Sequence, residues 1–243
     1  MNDETSPIAA LEPITFEQSR VLGCLMEKEM TTPENYPLSL NSLVAACNQS
    51  SNREPVVNFD EATVLTAMEV LKARGLAFQV SIPGARVQKF KHNLNGKFPR
   101  LEKPGLALIC VMLLRGPQTA GELRQRTERM QAFPDIPALE ASVQELIAYP
   151  ETPLVVRIPA GGGRKAVTYA HLLCGPVESH QAAVASVISS SRTSTDTEWK
   201  ERIEQELSAL REEVAQLRRA LNLGTSPALP DEDLPPSGAT FVP

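Results

Sequence analysis

Twice along this chain an apolar helical stretch runs into a short aliphatic strand, a turn, a second strand and a closing aromatic-x-His. The first copy spans Leu71 to His92, through Ile82-Pro83-Gly84 and Phe90-Lys91-His92. The second spans Leu146 to His171, through Ile158-Pro159 and Tyr169-Ala170-His171. A two-stranded hairpin this short is not stable alone, so helices must cover one of its faces. Each copy therefore predicts a small helical unit closed by a hairpin.

Three helices followed by such a hairpin are the outline of a winged-helix unit. The expected fold is mainly α with small β-hairpins, α+β in class, with two tandem winged-helix domains and a C-terminal heptad helix. With 243 residues, 42% of them hydrophobic, the chain has material for two cores of roughly 80 to 100 residues each. The expected spans are a disordered start over 1–13, domains over 14–98 and 99–175, a Ser/Thr-rich linker over 176–198, a coiled-coil helix over 199–223 and a disordered Pro-rich tail over 224–243.

Local signals place the elements. Thr15-Phe16-Glu17-Gln18 reads as a capping box opening a helix with Val21, Leu22, Leu25 and Met26 on one face. Gly23 in its middle weakens the helix, which points to close packing there. Ser39 signals a second helix with Leu40, Leu43, Val44 and Cys47 inward. Asp60 opens a third with Val64, Leu65, Met68 and Leu71 inward, and Gly75 caps its end. The second unit repeats the order: Leu106 to Leu114 stopped by Gly116-Pro117, a capping box at Thr119-Ala120-Gly121-Glu122, and a third helix over Pro137 to Tyr149 carrying Leu139, Val143 and Leu146. Asn93 to Pro104 mixes Asn, Gly, Pro and Lys and reads as a linker.

Past the Ser/Thr-rich stretch the period changes. Ile203, Leu207, Leu210, Val214, Leu217 and Leu221 alternate spacings of four and three, a heptad seam. In a parallel pair, Glu206 meets Arg211 and Glu213 meets Arg218 across the seam, and both pairs attract; an antiparallel pair would set Glu206 against Glu213. The expected partner is therefore a second copy in a parallel homodimer, with folding back onto the same chain as the competing arrangement.

The stretch from Arg20 through Met26-Glu-Lys-Glu-Met-Thr-Thr-Pro-Glu-Asn-Tyr-Pro37 and Ala46-Cys-Asn-Gln-Ser-Ser-Asn-Arg-Glu-Pro-Val56 resembles the signature of the bacterial YceH family. The resemblance continues through Leu114-Arg115-Gly116-Pro117-Gln118-Thr119 and Gly121-Glu122-Leu123 to Tyr169-Ala170-His171-Leu172, covering roughly residues 14 to 175. It implies two winged-helix domains and carries no activity with it.

Charge bounds the function. The total is -5, and by segment it is -2 over 1–98, +2 over 99–175 and -5 over 176–243, so the chain is not coated in positive charge as many nucleic-acid binders are. A DNA-reading winged helix directs its third helix at base edges. Here that helix begins Asp60-Glu61 in one unit, and in the other it holds Glu140 and Glu145 with no Lys or Arg. Positive charge gathers instead at Arg86, Lys89 and Lys91 on the first wing, Lys97, Arg100 and Lys103 beyond it, and Arg124, Arg126 and Arg129 in the second unit. These are the candidate phosphate contacts. Asn48, Asn52 and Arg53, after the second helix, form a candidate binding loop, with internal tying of that loop as the equal alternative.

Enzyme chemistry finds no support in the pattern. Cys24, Cys47, Cys110 and Cys174 lack metal-ligand spacing and read as reduced core thiols; His92, His171 and His180 have no partners at such spacing; no P-loop, dinucleotide fingerprint or nucleophile elbow is present. Neither a cofactor nor a metal is expected. With no signal-like start and no apolar run of membrane length, the expected location is cytoplasmic, away from membranes. The functional expectation is a non-enzymatic macromolecule-binding protein, with a protein partner favoured and a DNA-binding regulator as the alternative.

Overall fold

The computed structural model describes residues 12–81, 87–161, 165–177, 205–206 and 208–217. Its first half runs α1 (Phe16–Thr31), a 3-10 turn (Pro33–Asn35), α2 (Leu40–Cys47), α3 (Glu61–Ala73), β1 (Ala77–Val80), β2 (Lys89–His92) and a one-turn α4 (Leu94–Lys97). The second half runs α5 (Lys103–Arg115), α6 (Ala120–Thr127), α7 (Ile136–Ile147), β3 (Val155–Ile158) and β4 (Thr168–His171). The class is α+β, mainly helical, with two small antiparallel sheets.

The helices start where the capping chemistry puts them. At α1 the Thr15 side chain accepts from the Gln18 amide while Gln18 reaches back to the Thr15 amide; Thr119 and Glu122 do the same at α6. Ser39 and Asp60 cap α2 and α3 through their side-chain oxygens. Each cap satisfies an amide that the helix cannot, a gain of about 1 kcal/mol. Gly75 and Gly116 follow α3 and α5 at φ 67 and 73, a region where a side chain is strained.

The two halves repeat one plan. β1 pairs with β2 so that Ala77 faces His92, and β3 pairs with β4 so that Val155 faces His171. Each hairpin gains a one-residue third rung from the segment between the first and second helices of its half: Leu38 bridges to Phe90, and Gln118 to Tyr169. Both exchange backbone hydrogen bonds in each direction at 2.7 to 3.0 Å. The rung locks the hairpin to the helices.

These halves share one hydrophobic core within a single compact unit, Met1–Ser191. Its axis is α1 against α5, whose residues Leu106 to Leu114 are all buried. Gly23 faces this contact, and a Cβ built there would lie 2.9 Å from Leu114 Cδ2 and 3.1 Å from Leu113 Cβ. Close approach explains the glycine. Backbone bonds stitch the halves further, from Ile14 N–H to the Leu173 carbonyl and from Glu54 N–H to the Leu114 carbonyl.

Three details differ from the sequence expectation. Leu65 was assigned to the inward face of α3, yet it is 41% exposed and Ala67 takes the inward place. Positions 64, 67, 68 and 71 make the narrower stripe, and Leu65 lies about 100° around the helix from Val64. The segment Asn93 to Pro104, read as a linker, contains α4 and the start of α5 and buries Leu94, Phe98 and Leu101. Phe98 meets Tyr149 edge to face at 5.7 Å between ring centres. Finally, Leu40 and Val44 in α2 pack against the core only partly.

All four cysteines are buried and free. His92 is buried; its Nδ1 accepts from the Leu94 amide and its Nε2 donates to Glu29. That hydrogen bond holds the Glu29 carboxyl below its ordinary range.

The remaining described residues, 205–206 and 208–217, belong to the second unit, Arg192–Pro243, and are helical. Leu210, Val214 and Leu217 are exposed there. Ile203, Leu207 and Leu221 of the heptad seam lie outside the described residues, as far as their side chains are concerned.

Candidate functional site

The candidate loop after α2 is tied down by the residues singled out in it. Asn48 donates to the Phe59 carbonyl at 2.8 Å and accepts from the Phe59 amide at 2.7 Å, fixing the loop's far end beside α3. Arg53, buried, spends all five donors inside the protein. Its Nε bonds the Ala46 carbonyl, Nη1 bonds Glu27 Oε1 and the Asn52 carbonyl, and Nη2 bonds Glu27 Oε2 and Gln49 Oε1. Asn52 sits at φ 60 and accepts from Arg115 of α5. Of the three, Asn52 alone is exposed.

A second buried arginine works alongside. Arg20 donates to the carbonyls of Cys47 and Pro55 at 3.2 and 2.6 Å and lies over the Phe16 ring. Burial, the largest influence, lowers its pKa, and the neighbouring Arg53 charge acts in the same direction. Arg53 behaves differently. Burial opposes its charge, but the bond to Glu27 and nearby groups outweigh that and hold its pKa above the ordinary range.

The basic residues fall into two groups. Lys89 and Lys91 are half-buried on β2, with Lys91 6.0 Å from the Phe78 ring centre; Lys97 and Arg100 are exposed beyond α4. Arg86 lies outside the described residues. In the second half, Arg124 turns back to the Phe133 and Pro134 carbonyls. Arg126 and Arg129 instead line a cleft of about 650 Å³ with Lys28 from α1 and Arg115 from α5. The sequence patterns did not connect Lys28 and Arg115 to this group, because they come from helices 87 positions apart in the chain.

The outward faces of the third helices contrast. α3 exposes Glu61, Leu65, Glu69 and Val70, and the adjoining strand β1 exposes Phe78. α7 exposes Glu140, Gln144 and Glu145 with no large apolar side chain. Among the described residues no group of three His, Cys, Asp or Glu side chains could hold a metal ion, and no helix is long and apolar enough to cross a membrane.

The family model described as "Protein of unknown function, DUF480" matches residues 14–164. The chain belongs to this family, the YceH type. A UPF0502 protein of Photobacterium profundum is 44% identical over 220 residues, covering 88% of this chain and 99% of the relative. Another, from Pelobacter propionicus, is 46% identical over 209 residues, 84% of this chain and 93% of its own length. A third, from Geotalea daltonii, is 55% identical over 157 residues, 64% of this chain and 70% of its own. The DUF480 match covers the helices of both halves, the loop holding Arg53 and the cleft, and ends before β4.

Proposed function

We propose that this DUF480 protein is a non-enzymatic tandem winged-helix module that binds a protein partner and dimerises through its C-terminal helix. The winged-helix reading is supported by the order in each half: three helices, a hairpin, and a single bridging residue between the first and second helices. The partner class is carried by the outward face of the first half, where Leu65 at 41% and Phe78 at 42% stand exposed, with Glu61 and Glu69 also outward. Apolar side chains beside acids suit a protein surface and repel phosphate.

The test compares two variants for capture of the same partner from native extract. Leu65→Asp with Phe78→Asp is expected to lower its recovery at least tenfold, as for central interface residues. Charge reversal at Lys89 and Lys91 is expected to leave recovery unchanged. Equal recovery by wild type and the Leu65/Phe78 variant would remove this face as the docking surface.

The alternative, DNA binding through phosphates, draws on Lys89, Lys91, Lys97 and Arg100, none in an ion pair among the described residues. Four phosphate contacts would give a slope of log affinity against log salt of about -4. A gel-shift titration at low salt is expected to show no retarded duplex. Retardation with that slope, abolished by charge reversal at Lys89 and Lys91, would establish the alternative instead.

The dimer rests on the heptad spacing and on three apolar side chains, Leu210, Val214 and Leu217, left exposed on one helical stripe. Sedimentation is expected to give twice the chain mass for the full protein and the single-chain mass for a protein ending at Pro176. A truncated protein that stays dimeric would move the interface into residues 14–175.

A further inference from the structure

We propose that the cleft where α1, α5 and α6 converge is a binding site for a small phosphorylated molecule, held by Arg115, Arg126, Arg129 and Lys28. Its volume, about 650 Å³, falls within the range that encloses a small organic ligand. Lys28 comes from the last turn of α1, Arg115 from the end of α5, Arg126 from α6 and Arg129 just beyond it. Both halves of the chain thus build one wall each.

Charge at the cleft is unbalanced. Glu27 and Glu128 are the acids in its lining; both Glu27 oxygens bond Arg53, and Oε2 also lies 3.7 Å from Lys28 Nζ, so Arg115, Arg126 and Arg129 carry the excess. Glu122 reaches Arg126 Nη2 at 3.5 Å with Oε1, while its Oε2 serves the Thr119 cap. Arg126 Nη1 is buried and has no hydrogen-bond partner among the described residues. A buried donor left unmade is costly, and a turn of the Arg126 guanidinium would bring it to an anion in the cleft.

Arg115 adds an independent sign. Burial first, and then the Arg126 charge, push its guanidinium below the ordinary arginine range. The two guanidinium charges repel each other at the cleft. A phosphoryl group between them reverses that cost, because arginine forks match its oxygens in pairs. Asn52, held at φ 60, fixes one edge of Arg115, whose other donors have no hydrogen-bond partner among the described residues.

Calorimetric titration of the full-length protein with inorganic phosphate, ribose 5-phosphate and a short DNA duplex tests the site. Saturable binding of either small molecule is expected, weakened tenfold or more in Arg126→Gln and in Arg129→Gln, and unchanged in Lys89→Gln. Arg129 is exposed, so its variant keeps the fold even if Arg126→Gln does not. Tighter binding of the sugar phosphate assigns the ligand as an ester; equal binding assigns free phosphate. The absence of saturation at millimolar concentrations, equal loss in Lys89→Gln, or displacement of the small molecule by stoichiometric duplex would overturn the proposal.

Discussion

Replacing Arg53 with alanine is expected to remove about 3–5 kcal/mol of folding stability, the usual cost of stranding one member of a buried ion pair. In the native protein the guanidinium bonds Glu27 in bidentate fashion, at 3.1 and 2.6 Å, and also holds the Ala46 and Asn52 carbonyls and the Gln49 amide oxygen. Without it, Glu27 keeps, among the described residues, only Lys28 at 3.7 Å, and the Asn48–Val56 loop loses its central tie. Arg53 has a raised pKa in the fold. A raised value adds stability wherever the unfolded arginine is also charged, so this contribution is constant across ordinary pH and is lost only in strong alkali. Urea unfolding measures it. The double variant Glu27→Gln, Arg53→Met is expected to lose less than the sum of the two single changes, because neither charge is then stranded. A loss under about 1 kcal/mol in Arg53→Ala would show that solvent reaches Glu27 freely.

Gly23→Val is expected to destabilise by about 1–3 kcal/mol through overpacking at the α1–α5 contact. The added Cβ meets Leu114 Cδ2 at 2.9 Å and Leu113 Cβ at 3.1 Å. Leu114 Cδ2 is the free end of a side chain and can turn aside. Leu113 Cβ is one bond from the backbone, so relief there requires α5 itself to shift. The hydrogen bond from Cys110 Sγ to the Gly23 carbonyl, at 3.4 Å, would be strained by the same shift. Gly23→Ala adds the same Cβ and meets both contacts, but it lacks the two γ-methyls of valine and recovers about 1 kcal/mol of helix propensity, so it is expected to fall between the two. The order of unfolding midpoints, glycine above alanine above valine, is the observable. A valine variant as stable as the native protein would mean that α1 and α5 are less closely packed than this geometry requires.

Much of the local structure was legible in the sequence because its causes are local. The Thr15 and Thr119 capping boxes, the Ser39 and Asp60 caps and the Gly75 and Gly116 stops act over three or four residues, so reading them in order located six helix ends. The hairpins were legible from alternation around a turn. Leu65 was misplaced for a related reason: its period fits two neighbouring stripes, and only the partner helices decide which stripe is covered. The linker reading of Asn93 to Pro104 followed composition, whereas Leu94, Phe98 and Leu101 were drawn into the core by a surface that composition does not reveal.

The candidate site was less legible. Asn48, Asn52 and Arg53 stood out as polar residues in a loop, but the acceptor that occupies Arg53 lies 26 positions away on α1. The arginines of the second half were visible as a group, yet Arg124 turns to backbone carbonyls while Arg126 and Arg129 face a cleft. Spacing on one helix could not separate them.

The sequence by itself determined the three main helices of each half, the hairpins, the repeated order and the acidic character of the third helices, since each follows from neighbouring residues and their periodicity. Tertiary structure alone decided that the two repeats share one core across α1 and α5, that Arg53 is a strut rather than a free group, and that three cations from three helices and Arg129 beyond α6 meet at one cleft. Those features depend on which faces meet once apolar surface is buried. That pairing is a property of the whole chain, set by contacts between residues far apart along it.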